Sequence, residues 1–404
     1  MAQLLQSSDS IYKLHRLYKK HHNGRFSASV PRQLPHLGDD LLWLIFVRTD
    51  PKTAVTCRTL CKRLSFLLKS DLFVKENYKE NEIIRKSVMV GVGPPPNDDV
   101  SQWFMQADVN GGRQDLFRVP QEINNYERYT VVGSDKRIVC MRYSMGGANS
   151  ALLIWNPLMR THRYATDEAG KYQHCDMNVY AFGFLKDSLH YRILNVFKFT
   201  FINTTMCWNL YDSVKKDWEY HEVFHTTVKK IGGPYVVDEG TVHWIGWDGF
   251  MVREPHRIVM FCLLKRRFSE FLVPDRVHSQ YHSLIRFNGG VRFMGHRTNS
   301  FTQTVAIWRY TIIDGDHLTW DKKFVVGGME IPYSPSFFVG KDLVSIIEVR
   351  QNGKGSSNDD DRTDIVISKL KFLPRRREHL IHQSWQDHVH VKTVTLYTSS
   401  LFKV

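Results

Sequence analysis

Ala151-Leu152-Leu153-Ile154-Trp155 is a short apolar run that carries a tryptophan and stops at Asn156-Pro157. Such a run bounded by turn residues predicts a β-strand. Similar β-branched and aromatic runs occupy 137–142, 241–245, 257–264 and 304–313. Apolar segments containing or flanking an aromatic begin near Trp103, Trp155, Trp208, Met260, Trp308 and Val366, at spacings of 52, 53, 52, 48 and 58 residues. After a turn a second aromatic often follows, as Trp218 follows Trp208, Phe268 follows Phe261 and Trp320 follows Trp308. A period of about 50 residues built from short strands predicts a β-propeller with one four-stranded blade per repeat. Six repeats predict six blades, and a two-sheet β-sandwich is the alternative. The aromatics read as packing within the blades rather than as a ligand cage.

Upstream of residue 80 the pattern is helical. Leu41, Leu42, Ile45 and Phe46 share one stripe. Asp50-Pro51 offers an N-cap followed by proline at the first helical position, where its missing N–H costs nothing. Leu60, Leu64, Leu67 and Leu68 form a further stripe. Three short amphipathic helices in about 35 residues cannot bury all their apolar faces against one another, so some of that surface must meet a partner. The expected organisation is α+β and multidomain: a basic mobile tail at 1–32, a small three-helix domain at 33–80, a linker at 81–99 and an all-β domain at 100–404. The linker rests on Gly91-Val-Gly-Pro-Pro-Pro-Asn97. Within the tail, Ile11, Leu14, Leu17 and Tyr18 have helical spacing, and the polar acidic stretch at 356–362 reads as an exposed loop.

Composition narrows the function classes. Apolar residues are 42% and aromatics 13% of the 404, enough for a substantial core. No run of about 18 apolar residues exists to form a membrane-spanning helix, and the first twenty residues hold no apolar segment of secretory type. The six cysteines are scattered, which predicts reduced thiols in the cytoplasm or nucleus. Cys57 and Cys61, the closest pair, fall within a helical pattern rather than a zinc-ligand spacing. The net charge of +14 is spread along the chain, with short clusters at 13–22 and 375–377. That distribution predicts a solvated basic surface, with a nucleic-acid-binding propeller as the alternative.

One catalytic pattern is present. His221-Glu222-Val223-Phe224-His225 fits the zinc-protease signature, in which two histidines on one helical face hold zinc and the glutamate acts as base. It follows Trp218 inside a strand-like repeat, and on a strand Glu222 and the two histidines fall on opposite faces. A zinc metalloprotease is therefore the lesser alternative. His379, His382, His388 and His390 read as loose surface residues. Phosphate-loop, nucleophile-elbow and dinucleotide fingerprints are missing.

Two stretches carry a family resemblance. Leu37-Gly-Asp-Asp-Leu-Leu-Trp-Leu-Ile-Phe46 resembles the opening of an F-box. Lys52-Thr-Ala54, Cys57-Arg-Thr-Leu-Cys-Lys62 and Leu67-Leu-Lys-Ser-Asp-Leu-Phe73 match its later steps in register. Gly38, Leu44 and Leu64 stand where that family commonly has Pro, Glu and Trp. Downstream, Ile154-Trp-Asn-Pro157, Tyr180-Ala-Phe-Gly-Phe184, Tyr191-Arg-Ile-Leu194, Tyr211-Asp-Ser213 and Asp238-Glu-Gly-Thr-Val-His-Trp244 resemble, in order, motifs of the plant F-box-associated domain. The resemblance implies a substrate-recognition subunit of an SCF-type ubiquitin ligase. Its F-box would dock a Skp-type adaptor, and through it a cullin, by Leu37, Leu41, Leu42, Ile45, Phe46, Leu60, Cys61 and Leu64. The β-domain would recruit a protein substrate through loops the sequence does not identify. It implies no catalysis by this chain, no cofactor or metal, and neither membrane nor specific nucleic-acid binding.

Overall fold

The computed structural model describes residues 38–84, 87–93, 103–108, 114–120, 129–136, 138–144, 150–167, 175–199, 205–247, 256–274, 281–286, 290–299, 302–313, 317–327, 336–339, 342–351, 363–371, 376–385 and 390–397. The tail at 1–32, Leu37, the loop at 356–362 and His388 lie outside them. The chain divides into two compact units, one ending at Arg85 and one beginning at Lys86.

Among the described residues the first unit holds four helices rather than three: α1 (Asp39–Val47), α2 (Pro51–Cys57), α3 (Lys62–Leu67) and α4 (Asp71–Ile84). Asp39 and Asp40 lie in the first turn of α1, where negative charge complements the helix dipole. Asp50 caps α2 by accepting from the Thr53 N–H at 3.4 Å, with Pro51 at the first helical position. Ala54, Leu68 and Phe73 are fully buried, and Trp43 meets the Phe73 ring edge-on at 5.4 Å. Helix α4 escaped the hydrophobic pattern because two of its inward positions are asparagines. Asn77 and Asn81 are buried, and the Asn77 amide donates to the carbonyls of Phe46, Val47 and Thr49 at 3.3, 3.0 and 3.0 Å. Asn81 adds a bond to the Thr49 carbonyl at 3.1 Å. These are carbonyls at and just beyond the end of α1, where the helix runs out of its own donors; the Thr49 N–H also reaches the Phe46 carbonyl, at 3.1 Å. Asn77→Ala is expected to destabilise this unit by about 2 kcal/mol, chiefly by removing the 3.0 Å bond to the Val47 carbonyl, since Thr49 and Asn81 still serve the other two. Loss of less than a quarter of that in thermal unfolding of α-helical ellipticity would show that water replaces the amide.

The described residues of the second unit are all β. Sheet 1 contains β1 (Ser87–Gly93), β2 (Trp103–Asp108), β3 (Gln114–Arg118) and the last strand, β24 (His390–Tyr397). Sheet 2 contains β4 (Tyr129–Asp135), β5 (Ile138–Ser144), β6 (Ser150–Asn156) and β7 (Thr161–Thr166). Sheet 3 contains β8 (Cys175–Phe184), β9 (Tyr191–Phe199), β10 (Thr205–Asp212) and β11 (Asp217–His225). Sheet 4 contains β12 (Lys230–Asp238), β13 (Thr241–Trp247), β14 (His256–Cys262) and β15 (Arg267–Leu272). Sheet 5 contains β16 (Tyr281–Arg286), β17 (Val291–Asn299), β18 (Thr302–Ile313) and β19 (His317–Gly327). Sheet 6 contains β20 (Ser336–Val339), β21 (Asp342–Gln351), β22 (Thr363–Lys371) and β23 (Arg376–Trp385).

Each sheet is an antiparallel meander, and β24 pairs with β1 so that the chain's last described strand completes its first sheet. End strands of successive sheets lie against each other: β24 against β4, β4 against β8, then β8, β12, β16 and β20 in turn. This is a propeller-like domain, not a two-sheet sandwich. Strand β1 and the end of α4 occupy much of 81–99, which is therefore not a linker throughout. Gly91, Val92 and Gly93 of the proline-rich segment belong to β1, and the rest of that segment lies outside the described residues.

Packing between sheets explains the unbroken apolar runs. On β13, Val242 and Trp244 join a core shared with Trp208 and Leu210 of sheet 3, whereas Ile245 joins one shared with Phe293 and Trp308 of sheet 5. Alternate residues face opposite sides of a strand, so a strand buried on both faces is apolar throughout. The links from third to fourth strand in sheets 2, 3 and 4 share one design. Four residues connect the strands, and the last of them, Arg160, Lys216 or Arg266, has φ of 52°, 61° or 56°. The residue before each link caps it: Asn156 Oδ1 accepts from Met159 N–H at 3.1 Å, Asp212 Oδ1 from Val214 N–H at 2.9 Å, and Cys262 Sγ from Lys265 N–H at 3.4 Å. Side-chain acceptors of this kind replace part of a backbone turn. In sheet 4, Glu239-Gly240 takes positive φ at both positions, the two-residue turn that suits a twisted hairpin.

Candidate docking surfaces

On the helical unit the predicted residues divide by exposure. Leu41, Leu60 and Cys61 are exposed, while Leu42, Ile45, Phe46 and Leu64 are half-buried. Three further large apolar residues lie at the surface and were not anticipated: Leu44, Phe66 and Leu72. Phe66 is the most open, at 85% of its full accessibility. A charged side chain fixes the frame, because Arg63 Nε donates to Asp39 Oδ1 at 2.7 Å and ties α3 to the start of α1. Arg58 is buried and donates through Nε to the Leu68 carbonyl at 3.1 Å; desolvation lowers its pKa. Cys61 caps α3, its sulfur accepting from the Leu64 N–H at 3.5 Å. Burial pushes the Cys57 thiol up, away from reactivity. All six cysteines are free.

In the β unit the polar groups bolt sheets together. The Trp218 indole N–H of sheet 3 donates to the Thr166 carbonyl of sheet 2 at 2.7 Å. Asp135 of sheet 2 accepts from the Phe184 N–H at 2.7 Å, and Lys136 donates to the Ser188 carbonyl at 2.9 Å. Burial raises the Asp135 pKa despite these neighbours. Asp167 is enclosed by Arg142 Nε at 2.6 Å, by the Tyr180 hydroxyl at 2.5 Å and by Ser150. Burial opposes its ionisation, but the bonds from Ser150, Tyr180 and Arg142 outweigh it and hold the carboxyl below its usual range. The Tyr235 hydroxyl of sheet 4 accepts from the Phe182 N–H of sheet 3 at 2.8 Å and fills the space over Gly133 of sheet 2. These satisfied contacts make the cluster structural.

His221 and His225 belong to strand β11, paired with Trp208 and Thr205 of β10. The segment is not a helix, so the zinc-protease geometry does not form. Among the described residues no group of three His, Cys, Asp or Glu could hold a metal. His379 and His382 lie on β23 and His390 on β24. The shared motifs prove to be turns and packing. Trp155 and Asn156 are buried at the link Asn156 caps, Phe182, Phe184 and Tyr191 cluster with ring centroids 5.5–5.9 Å apart, and Asp212 caps a link.

Residues 105–404 match the model of the F-box associated beta propeller domain. The chain belongs to that family. Family membership implies the F-box protein family, whose members are typically SCF substrate receptors. The chain is also similar in structure to the β-propeller domain of the Trilobed protease from Pyrococcus furiosus, with 12% identity, a TM-score of 0.32, and coverage of 67% of this chain and 95% of that one. The WD40 domain of SCAP from fission yeast gives 7% identity, a TM-score of 0.32, and coverage of 79% and 87%. A mutant of AofleA from Arthrobotrys oligospora gives 8%, 0.36, and coverage of 78% and 90%. No curated protein matches the chain significantly. No helix among the described residues is long and apolar enough to cross a membrane.

Proposed function

We propose that the chain is a non-catalytic substrate receptor of an SCF-type ubiquitin ligase, acting in the cytoplasm or nucleus. In this reading the helical unit is an F-box that docks a Skp-type adaptor, and the six sheets are six propeller blades that carry a protein substrate. The observation that carries it is the apolar surface of the helical unit. Leu41, Leu44, Phe66 and Leu72 on the helices and Leu60 in the link between α2 and α3 are all more than half exposed. Covering such surface yields about 25 cal/mol per Å² removed from water, and leaving it bare invites association. The family membership of the β unit supplies the context in which a helical adaptor contact makes sense. The chain would perform no bond chemistry; it would hold substrate lysines near a ubiquitin thioester, a gain in effective concentration.

Capture of a recombinant Skp-type adaptor by the full chain tests the reading. Wild type should capture it, and Leu41→Lys and Phe66→Lys should each lose capture, because an ammonium would be stranded in an apolar contact. Both positions are exposed in the free chain, so thermal unfolding should not change. Equal capture by wild type and both variants, or none by wild type, would sink the proposal.

A further inference from the structure

The third-to-fourth-strand links of sheets 3 and 4 are built alike and held side by side. Arg192 donates to Asp212 Oδ2 through Nε at 3.0 Å and Nη2 at 2.8 Å, and through Nη1 to the Leu263 carbonyl. Asp212 caps the first link, and Leu263 lies in the second. Beside them Glu219 takes Lys215 on one oxygen and Arg266, at 2.5 Å, on the other. The two turns therefore form one braced platform.

What the platform presents is unusual for turns, which favour small polar residues. At the same position of each link stands an aliphatic side chain in solvent, Val214 at 59% and Leu264 at 65% exposure. Exposed cations flank both: Lys215 and Lys216 in one link, Lys265 and Arg267 at the other. Within the two links and the first strand residues after them the acidic residues are Asp217 and Glu219, and Glu219 already takes Lys215 and Arg266, which leaves Lys216, Lys265 and Arg267 to a ligand. The corresponding link of sheet 2 has half-buried Leu158 and Met159 in place of a lysine, so among the described links the pattern falls on two adjacent turns.

We propose that this braced pair of turns docks an acidic polypeptide segment carrying aliphatic side chains, with Val214 and Leu264 covering its apolar residues and Lys216, Lys265 and Arg267 its carboxylates. Charge complementarity selects an acidic partner, and the aliphatic tips select a polypeptide over a nucleic acid, whose bases need flat side chains to stack on. Two aliphatic tips are a small wedge for a bilayer, which favours larger apolar faces. The inference does not depend on the helical unit docking an adaptor.

Fluorescence anisotropy on the full chain, with no adaptor present, tests it using a labelled peptide alternating Asp or Glu with Leu. A second peptide replaces each Leu by Ser at the same charge. The leucine peptide should bind at least about tenfold more tightly than the serine peptide. Val214→Ser/Leu264→Ser should abolish that preference, and Lys216→Glu/Lys265→Glu should weaken both peptides at least about tenfold. All these positions are exposed, and an unchanged melting temperature confirms folding; Leu264→Ser alone serves if the double variant melts early. Equal binding of the two peptides, tighter binding of single-stranded RNA or of phosphatidylserine vesicles than of the leucine peptide, or an unaltered preference in the serine variant would overturn the proposal. Adaptor capture by the same variants should remain intact, which separates failure here from failure of the receptor reading.

Discussion

Asp212→Ala is expected to destabilise the β unit by about 3–5 kcal/mol, the range for removing one partner of a buried ion pair. Asp212 and Arg192 are each 9% exposed in their side chains and meet at 2.8 Å. Burial opposes ionisation of Asp212, yet the Val214 N–H and the Arg192 guanidinium outweigh it and keep the carboxyl below its usual range. Without that carboxylate the guanidinium stays buried with only the Leu263 carbonyl, and the link after β10 loses its cap. Both sheets 3 and 4 feel the change, because Arg192 spans them. Urea unfolding should show a lower midpoint at an unchanged slope. The informative contrast is Arg192→Met/Asp212→Leu, which removes both charges and is expected to cost far less than either single change. A single variant losing under about 1 kcal/mol would place the pair with ordinary surface bridges, and the brace between the two links would then have to come from packing alone.

How far the sequence revealed this architecture depends on which residues face the core. The six aromatic or apolar positions that set the repeat, Trp103, Trp155, Trp208, Met260, Trp308 and Val366, fall on β2, β6, β10, β14, β18 and β22. Each is the third strand of its sheet counted from the end that meets the neighbouring sheet. The following aromatics lie on the fourth strand, where Trp218 opposes Tyr211, Phe268 opposes Phe261 and Trp320 opposes Tyr310. Apolar side chains leave a period that can be counted. Polar ones in core positions do not, which is why Asn77 and Asn81 concealed α4. Exposure was less legible than identity. Leu42 and Phe46 share a stripe with Leu41 but are half-buried, and Phe66 stands in solvent with no periodic partner to announce it. Whether a leucine packs inward or outward is decided by which helices meet, and short sequence windows hold no record of that. The histidines of β11 show the reverse error, because a motif defined on a helix has no meaning when the segment pairs as a strand. The brace of Arg192, Asp212 and Leu263 joins residues far apart in sequence, and no local pattern could have linked them.

Acid should weaken the contact between sheets 4 and 5 through one residue. His243 of β13 is buried, and its Nδ1 shares a 2.9 Å hydrogen bond with the Tyr310 hydroxyl of β18. Desolvation pushes its pKa down from 6.5 to about 4, and burial likewise raises that of Tyr310, so both are neutral in the folded protein at pH 7. In the unfolded chain the imidazole regains a proton near pH 6.5. The unfolded state therefore binds more protons than the folded state between those two values, and stability falls as the pH falls. Above pH 6.5 the neutral ring carries no penalty. Between pH 6.5 and about 4 the loss accumulates to about 3 kcal/mol, the free-energy equivalent of the separation of the two pKa values, and below about 4 it levels off. Other groups titrate over the same interval, so the decisive quantity is the difference between wild type and His243→Asn, which keeps a polar side chain near Tyr310 without a titrating ring. Urea midpoints compared at pH 7 and pH 4.5 should show a markedly smaller acid loss in the variant. Equal acid losses in the two proteins would mean that His243 takes up its proton as readily in the folded protein as in the unfolded chain.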